Sequence, residues 1–294
     1  MSIGKVLSIQ SHVVHGYVGN RAAVFPMQLL GFEVDFINSV QFSNHTQYQC
    51  FKGQCLNADQ LEELLEGLRQ NDLLEYSHLL TGYVGNPTFL NKLADLIQEL
   101  KTKNPNLIYL CDPVMGDNGK LYVSKDLVNI YADRILPLAD IITPNIFELE
   151  VIYGKKIESN SDLFTAIEYC HSKGVQTVII SSSKPFEASK KDKLVLYASS
   201  KAEKDVIRIE FDQLTGTFYG TGDAFAAMFL SWLTKLNNLK SACEHTISAM
   251  LHILRRTNES RTRDDELLEI KLIQSKSDIE KPEIIVKGEL MAKN

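Results

Sequence analysis

Apolar and polar positions alternate between two periods along most of the chain. Val6-Leu7-Ser8-Ile9 and Val34-Asp35-Phe36-Ile37 are short apolar runs that predict strands. Asn20 to Leu30 lies between them and predicts a helix with Asn20 as its cap. Leu61, Leu64, Leu65 and Leu68 follow the i, i+3, i+4, i+7 spacing of a helix with one buried face. His78-Leu79-Leu80 predicts a strand. Asn86-Pro87 then opens a helix whose face continues through Leu90, Leu93, Ala94, Ile97 and Leu100.

Leu107 to Cys111, Asp140-Ile141-Ile142 and Thr177 to Ile180 are compact apolar runs suited to central parallel strands. Phe225, Met228, Phe229, Trp232, Leu233 and Leu236 form one helical stripe. Ile247, Met250, Leu251 and Leu254 form another, and both read as core. The Lys193–Tyr197 and Val206–Phe211 runs have a shorter connection and predict an antiparallel edge or hairpin. Arg255 to Asp265 reads as a surface connection, after which Leu267, Leu268, Ile270, Leu272 and Ile273 bring the chain back into the fold. Repeated strand–helix alternation predicts a three-layer α/β/α sandwich with a mostly parallel central sheet. With no Pro/Gly/Ser-rich linker, residues 1–294 are expected to form a single domain. Gly-Tyr-Val-Gly-Asn occurs twice, at 16–20 and 82–86, each time between a strand and a helix. That is where ligands of open α/β sheets bind.

Composition narrows the function classes. Among the 294 residues, 31 Lys+Arg stand against 37 Asp+Glu, a net charge of −6, which argues against broad nucleic-acid binding. The five cysteines are scattered and odd in number, so reduced intracellular thiols are expected. No stretch approaches a membrane span, and the first residues lack a signal-peptide h-region, so the expected location is the cytoplasm.

The strongest chemical signal is Gly220-Thr221-Gly222-Asp223, directly before the Phe225–Leu236 stripe. Two glycines let backbone approach a ligand, and the helix start leaves amides free for an anion. Asp223 either caps that helix or faces a hydroxyl as a general base. Asp112 ends one strand in Asp-Pro-Val-Met-Gly-Asp, and Asn145 and Glu148 follow another in Thr-Pro-Asn-Ile-Phe-Glu. Asp112 and Glu148 together offer hard oxygen ligands for Mg²⁺ on nucleotide phosphates. Asn-x-x-Glu alone is equally an exposed helix face. His12 and His15 have no Cys or His partners at metal spacing and read as packing or substrate contacts. No P-loop, protein-kinase motif set, hydrolase elbow or Rossmann glycine fingerprint is present.

Gly220–Asp223 with the upstream Asn145-x-x-Glu148 resembles the ribokinase superfamily. Within it, Gln41 to Thr46, Thr81 to Asn86, Cys111 to Asp117 and Ile142 to Glu148 resemble the signature segments of the pyridoxal kinase family, in its order. The resemblance runs from the first strand to Ile279. It implies ATP-dependent phosphorylation of the 5′-hydroxymethyl group of pyridoxal, pyridoxine and pyridoxamine, as in vitamin B6 salvage. By matching position, Asp223 would be the base, and the Gly220, Thr221 and Gly222 turn would stabilise the transferred group. Ser11, Val18, Phe42, Thr46, Tyr83 and Tyr122 would surround the vitamin. Asp112, Asp117, Asn145, Glu148, Ser181, Ser182 and Tyr219 would face the nucleotide. The resemblance also implies Mg²⁺ at Asp112 and Glu148, K⁺ near Thr143, and a homodimer. Gln47 and Tyr219 depart from the family pattern, where Gly and a smaller residue are usual. The alternatives are a hydroxymethylpyrimidine kinase of the same superfamily, or a non-catalytic vitamin- or nucleotide-binding regulator.

Overall fold

The computed structural model describes residues 2–117, 119–186, 192–262 and 267–293. The first half runs β1 (Gly4–Val13), α1 (Asn20–Leu29), β2 (Phe32–Phe42), β3 (Gly53–Cys55), α2 (Ala58–Gln70), β4 (His78–Thr81), α3 (Pro87–Lys103) and β5 (Ile108–Cys111). The hairpin β6 (Gly116–Asp117) and β7 (Lys120–Leu121) follows, then α4 (Lys125–Ile130), β8 (Ile141–Ile142), α5 (Ile146–Tyr153) and α6 (Asn160–Ser172). The last part comprises β9 (Thr177–Ser183), β10 (Lys193–Ser200), β11 (Asp205–Asp212), β12 (Phe218–Tyr219), α7 (Thr221–Leu236), α8 (Leu239–Glu259), β13 (Leu268–Glu269), α9 (Lys276–Glu280) and β14 (Glu289–Ala292).

Ten strands form one sheet in the order β14-β11-β10-β9-β8-β5-β4-β1-β2-β3. The six from β9 to β2 are parallel. The margins are antiparallel. Because strand side chains alternate between faces, each strand feeds two cores. Val6, Leu80, Leu110, Ile141 and Ile179 pack with α1, α7, α8 and α9. Leu7, Leu79, Tyr109, Ile142 and Val178 pack with α2 to α6. The predicted α/β/α sandwich is the observed fold.

Most predicted elements form where the pattern puts them. Asn86 caps α3, its Oδ1 accepting from the Thr88 and Phe89 amides, with Pro87 in the first turn. The predicted hairpin is β10–β11, joined at Lys193↔Asp212 through Ser199↔Val206. Four details differ. Gly19, at φ 56, is the N-cap of α1. Asn20 is instead buried, accepting from the Ser8 hydroxyl and donating to Ile37 O and Asn38 Oδ1. The tight glycine turn leaves Asn20 already helical and aimed between β1 and β2. Leu64, expected on the buried face of α2, is 48% exposed, because the helix buries only a narrow stripe at Leu61 and Leu65. Arg255 to Glu259 belong to α8 rather than to a surface connection, and residues 263–265 of that segment lie outside those described. The short edge strands β3 and β14 carry too few alternating positions to register in the pattern. The outer edge is β14, beyond the predicted hairpin.

The parallel strands all point the same way. Their C-terminal ends therefore gather the β1–α1 turn, the loops after β2, β4, β5 and β8, and the end of β9 along one edge.

Candidate active site

The turn entering α7 is fixed by a close backbone contact. Gly220 has φ 75, and a Cβ there would stand 1.7 Å from the Tyr17 carbonyl oxygen. Only glycine fits both the left-handed backbone and that approach. Gly220 is the N-cap of α7 and no side chain caps the helix, so its first amides are free to meet an anion. Asp223 sits one turn in and is partly exposed. The backbone N–H groups of Gly19 and of Asp223 itself face its carboxylate. Burial raises its pKa, and those two amides oppose the rise. The carboxylate thus reaches across to the β1–α1 turn while also facing one amide in the first turn of its own helix.

Two further carboxylates stand at the tips of β5 and β8. Asp112 is 4% exposed and accepts the Thr143 hydroxyl on Oδ1 at 3.0 Å. Its Oδ2 faces Gly222, 3.7 Å from where a Cβ on that glycine would stand. Burial, and then the charge of Asp223, push the Asp112 carboxyl well above the usual range. Glu148 is also buried, and burial followed by Asp112 pushes it up too. Asn145 and Glu148 share one face as expected, in a reciprocal capping box: Glu148 N donates to Asn145 Oδ1 and Asn145 N donates to Glu148 Oε2, both at 2.9 Å. The other Glu148 oxygen accepts Met115 N at 2.9 Å, and the Asn145 amide donates to Gly116 O at 2.9 Å. That bracket positions the β6–β7 hairpin, which carries Asp117 on its exposed side. Ser181 donates its N–H to Pro144 O at 3.1 Å, which brings the half-buried Ser181 and Ser182 beside Thr143.

The residues expected around the vitamin occupy the neighbouring end of the edge. Ser11 ends the stretch of β1 beneath Gly19, where a Cβ would stand 2.0 Å from the Ser11 carbonyl oxygen. Val18 runs beside Gly220. Phe42 packs on Phe51 with centroids 5.2 Å apart, and Thr46 is exposed in the turn after β2. Tyr83 is half-buried; burial, and then Cys55, raise its hydroxyl pKa. Tyr122 is 51% exposed on the hairpin side, its pKa raised by burial and then by Asp117, Glu148 and Tyr219. The Tyr219 ring packs on His45, 4.3 Å between centroids, which puts it against the loop that carries Thr46.

Sequence reasoning missed Gly19, whose amide holds Asp223, and Glu269, which lies against Tyr17, His45 and Tyr48. The doubled Gly-Tyr-Val-Gly-Asn phrase was a usable signal for Gly19. Nothing local marks Glu269.

A glycine-bounded anion turn beside three carboxylates is suited to phosphoryl transfer, which needs positioning and charge stabilisation. The comparisons agree. Residues 33–263 match the sequence model of the family described as phosphomethylpyrimidine kinase, and the chain belongs to that family of kinases. Within it, the chain is one of the pyridoxal kinases. It is 48% identical to the pyridoxal kinase of Ovis aries, covering 98% of each chain. It is 47% identical to that of Arabidopsis thaliana, covering 97% of this chain and 94% of the other. The structure of the Leishmania donovani pyridoxal kinase in complex with ADP and pyridoxamine superposes with a TM-score of 0.90 at 30% identity, covering 98% and 99%.

Proposed function

We infer that this kinase transfers the γ-phosphoryl group of ATP to the 5′-hydroxymethyl group of pyridoxal, and of pyridoxine and pyridoxamine. The observation that carries this reading is the placement of the Asp223 carboxylate beside an uncapped glycine turn and in electrostatic contact with Asp112. In the proposed mechanism Asp223 takes the hydroxyl proton as the alkoxide oxygen attacks phosphorus. The amides of Gly220, Thr221 and Gly222 meet the negative charge that builds on the equatorial oxygens. A carboxyl held high by burial is a stronger base than a solvated one, and the Gly19 amide keeps it oriented.

Asp112 and Glu148 would organise Mg²⁺. Two carboxyls pushed upward by burial, Asp112 then by Asp223 and Glu148 then by Asp112, are a donor pair that lacks positive charge. Among the described residues no group of three or more His, Cys, Asp or Glu side chains is placed to enclose a metal. The remaining ligands would therefore be water and phosphate oxygen, as Mg²⁺ prefers. When bound, the ion would neutralise the β- and γ-phosphates. Glu148 already accepts three backbone amides, so its part is through water. Asn145 and Asp117 would shape the phosphate side, with Ser181 and Ser182 beside it. Ser11, Val18, Phe42, Thr46, Tyr83 and Tyr122 would enclose the vitamin, and Thr143 would neighbour a K⁺ site. Tyr219, proposed toward the nucleotide, stacks on the vitamin loop and bridges the two halves.

The ten-stranded sheet draws on residues 4 to 292, which supports one domain over 1–294. We further propose a cytoplasmic homodimer. Among the described residues no helix is long and apolar enough to cross a membrane. The deciding experiment measures phosphate transfer from ATP to pyridoxal, pyridoxine, pyridoxamine and hydroxymethylpyrimidine. Transfer to the three pyridines is expected; transfer to the pyrimidine alone would favour the alternative kinase. ATP turnover that ignores every acceptor would overturn both.

A further inference from the structure

No role above uses Glu269. It lies on β13, which runs parallel to β12 so that Glu269 is the register partner of Tyr219. Its carboxylate turns toward two loops at once. Oε2 accepts the Tyr17 backbone N–H at 2.8 Å. Oε1 lies 3.1 Å from His45 Nε2 and accepts the Tyr48 hydroxyl at 3.2 Å. Gly16, at φ 94, makes room for it: a Cβ there would stand 2.4 Å from Oε1.

The two sides of this contact lead to the two halves of the site. Tyr17 is the residue whose carbonyl seats Gly220. His45 immediately precedes Thr46 and is buried, its ring between Tyr48 and Tyr219 at 4.6 and 4.3 Å. Much of the rest of that loop is exposed, including Thr46, Gln47, Gln49, Cys50 and Phe51. His45 is the loop's buried anchor, beside the Ser43–Lys52 and Asn44–Cys50 hydrogen bonds that close the loop on itself.

The chemistry at this point requires a carboxylate. The Gln47 N–H donates to His45 Nδ1 at 3.3 Å, so the proton of the ring is on Nε2, facing Glu269. The Tyr17 N–H donates to Oε2, while His45 Nε2 stands 3.1 Å from Oε1 as a close ionic contact outside hydrogen-bond alignment. A carboxamide supplies one acceptor, so in either orientation its NH₂ faces another donor. Burial opposes ionisation of Glu269, but His45, the Tyr17 amide and Tyr48 outweigh it and hold the group below the ordinary carboxylate range.

We propose that Glu269 is a positioning residue that clamps the loop of residues 43–52 to the β1–α1 turn and thereby sets the affinity for the vitamin acceptor. This rests on the kinase reading above. A loop ordered before binding spares the acceptor the entropic cost of ordering it.

The test compares wild type, Glu269→Gln, His45→Asn, their double variant and Tyr48→Phe. Glu269→Gln keeps its carbonyl on the short Tyr17 bond and releases the loop. It is expected to raise KM for pyridoxal roughly tenfold, with KM for ATP within about twofold, the scale of one close, largely buried charged contact. Tyr48→Phe is expected to raise it by about two- to threefold, and the double variant to add little beyond either single change. Hydrogen exchange of the ligand-free protein reads the clamp without activity: amides of 43–52 are expected to exchange faster in Glu269→Gln while α3 and α7 keep their protection. An unchanged pyridoxal KM, a parallel rise in both substrates' KM, or unchanged exchange over 43–52 would overturn the proposal. If wild type fails to phosphorylate pyridoxal, the kinase reading falls, and the exchange measurement still decides whether Glu269 holds the loop.

Discussion

Replacing Gly220 by alanine tests how tightly the phosphate turn is built. Two terms act on the new methyl group. Gly220 has φ 75, where a non-glycine residue costs about 1–2 kcal/mol. The Cβ would also stand 1.7 Å from the Tyr17 carbonyl oxygen, a backbone atom that cannot rotate away. Forced backbone shifts of this kind add about 1–3 kcal/mol. The sum, roughly 2–5 kcal/mol, corresponds to a fall in Tm of about 4–10 °C for a chain of this size. Moving Tyr17 also draws Gly19 off Asp223 and tilts the free amides, so kcat is expected to fall by about 10²–10³-fold. Gly154→Ala is the control, because its φ of 78 carries the same strain while nothing lies within 4 Å of the new Cβ. Scanning calorimetry and coupled detection of ADP with pyridoxal as acceptor read the two effects. A Gly220→Ala variant that melts with Gly154→Ala and turns over like wild type would refute the steric argument.

Asp223→Ala should lower kcat by about 10²–10⁴-fold with little change in nucleotide affinity by calorimetric titration; near-normal turnover removes Asp223 from the mechanism. EDTA should abolish activity and Mg²⁺ should restore it; full turnover in chelator would contradict the role given to Asp112 and Glu148. His78 is buried with Ser77 Oγ 2.8 Å from Nδ1 and Thr234 Oγ1 3.1 Å from Nε2, and burial pulls its pKa down from 6.5 to about 4. A depressed histidine contributes stability above the unfolded value that is lost as pH falls from about 6.5 toward 4, up to roughly 3 kcal/mol. Urea unfolding at pH 7.5 and 4.5 should therefore differ less in His78→Gln than in wild type. An equal loss in both proteins would show that other groups drive the acid limb.

The strand–helix alternation was legible because five of the six parallel strands, all but β2, are largely buried along short apolar runs. The turn at Gly220 and the Asn86-Pro87 helix start were legible because they are local chemistry. Asn145 and Glu148 were read as a shared face, and the face proved to be a capping box reaching the hairpin through Met115 and Gly116. What stayed hidden is non-local. Asn20 reads as a cap until β2 supplies the buried carbonyl at Ile37. Glu269 reads as one polar residue in an apolar segment until folding brings Tyr17, 252 positions away, against it. A two-residue strand such as β13 has too few positions to show a period.

The pairing of β12 with β13 ties the turn before α7 to a stretch made much later in the chain. Tyr17 is made 252 positions before the carboxylate that accepts its N–H. A fragment that ends between Asp223 and Glu269 would keep the proposed base yet lack the proposed clamp on the 43–52 loop.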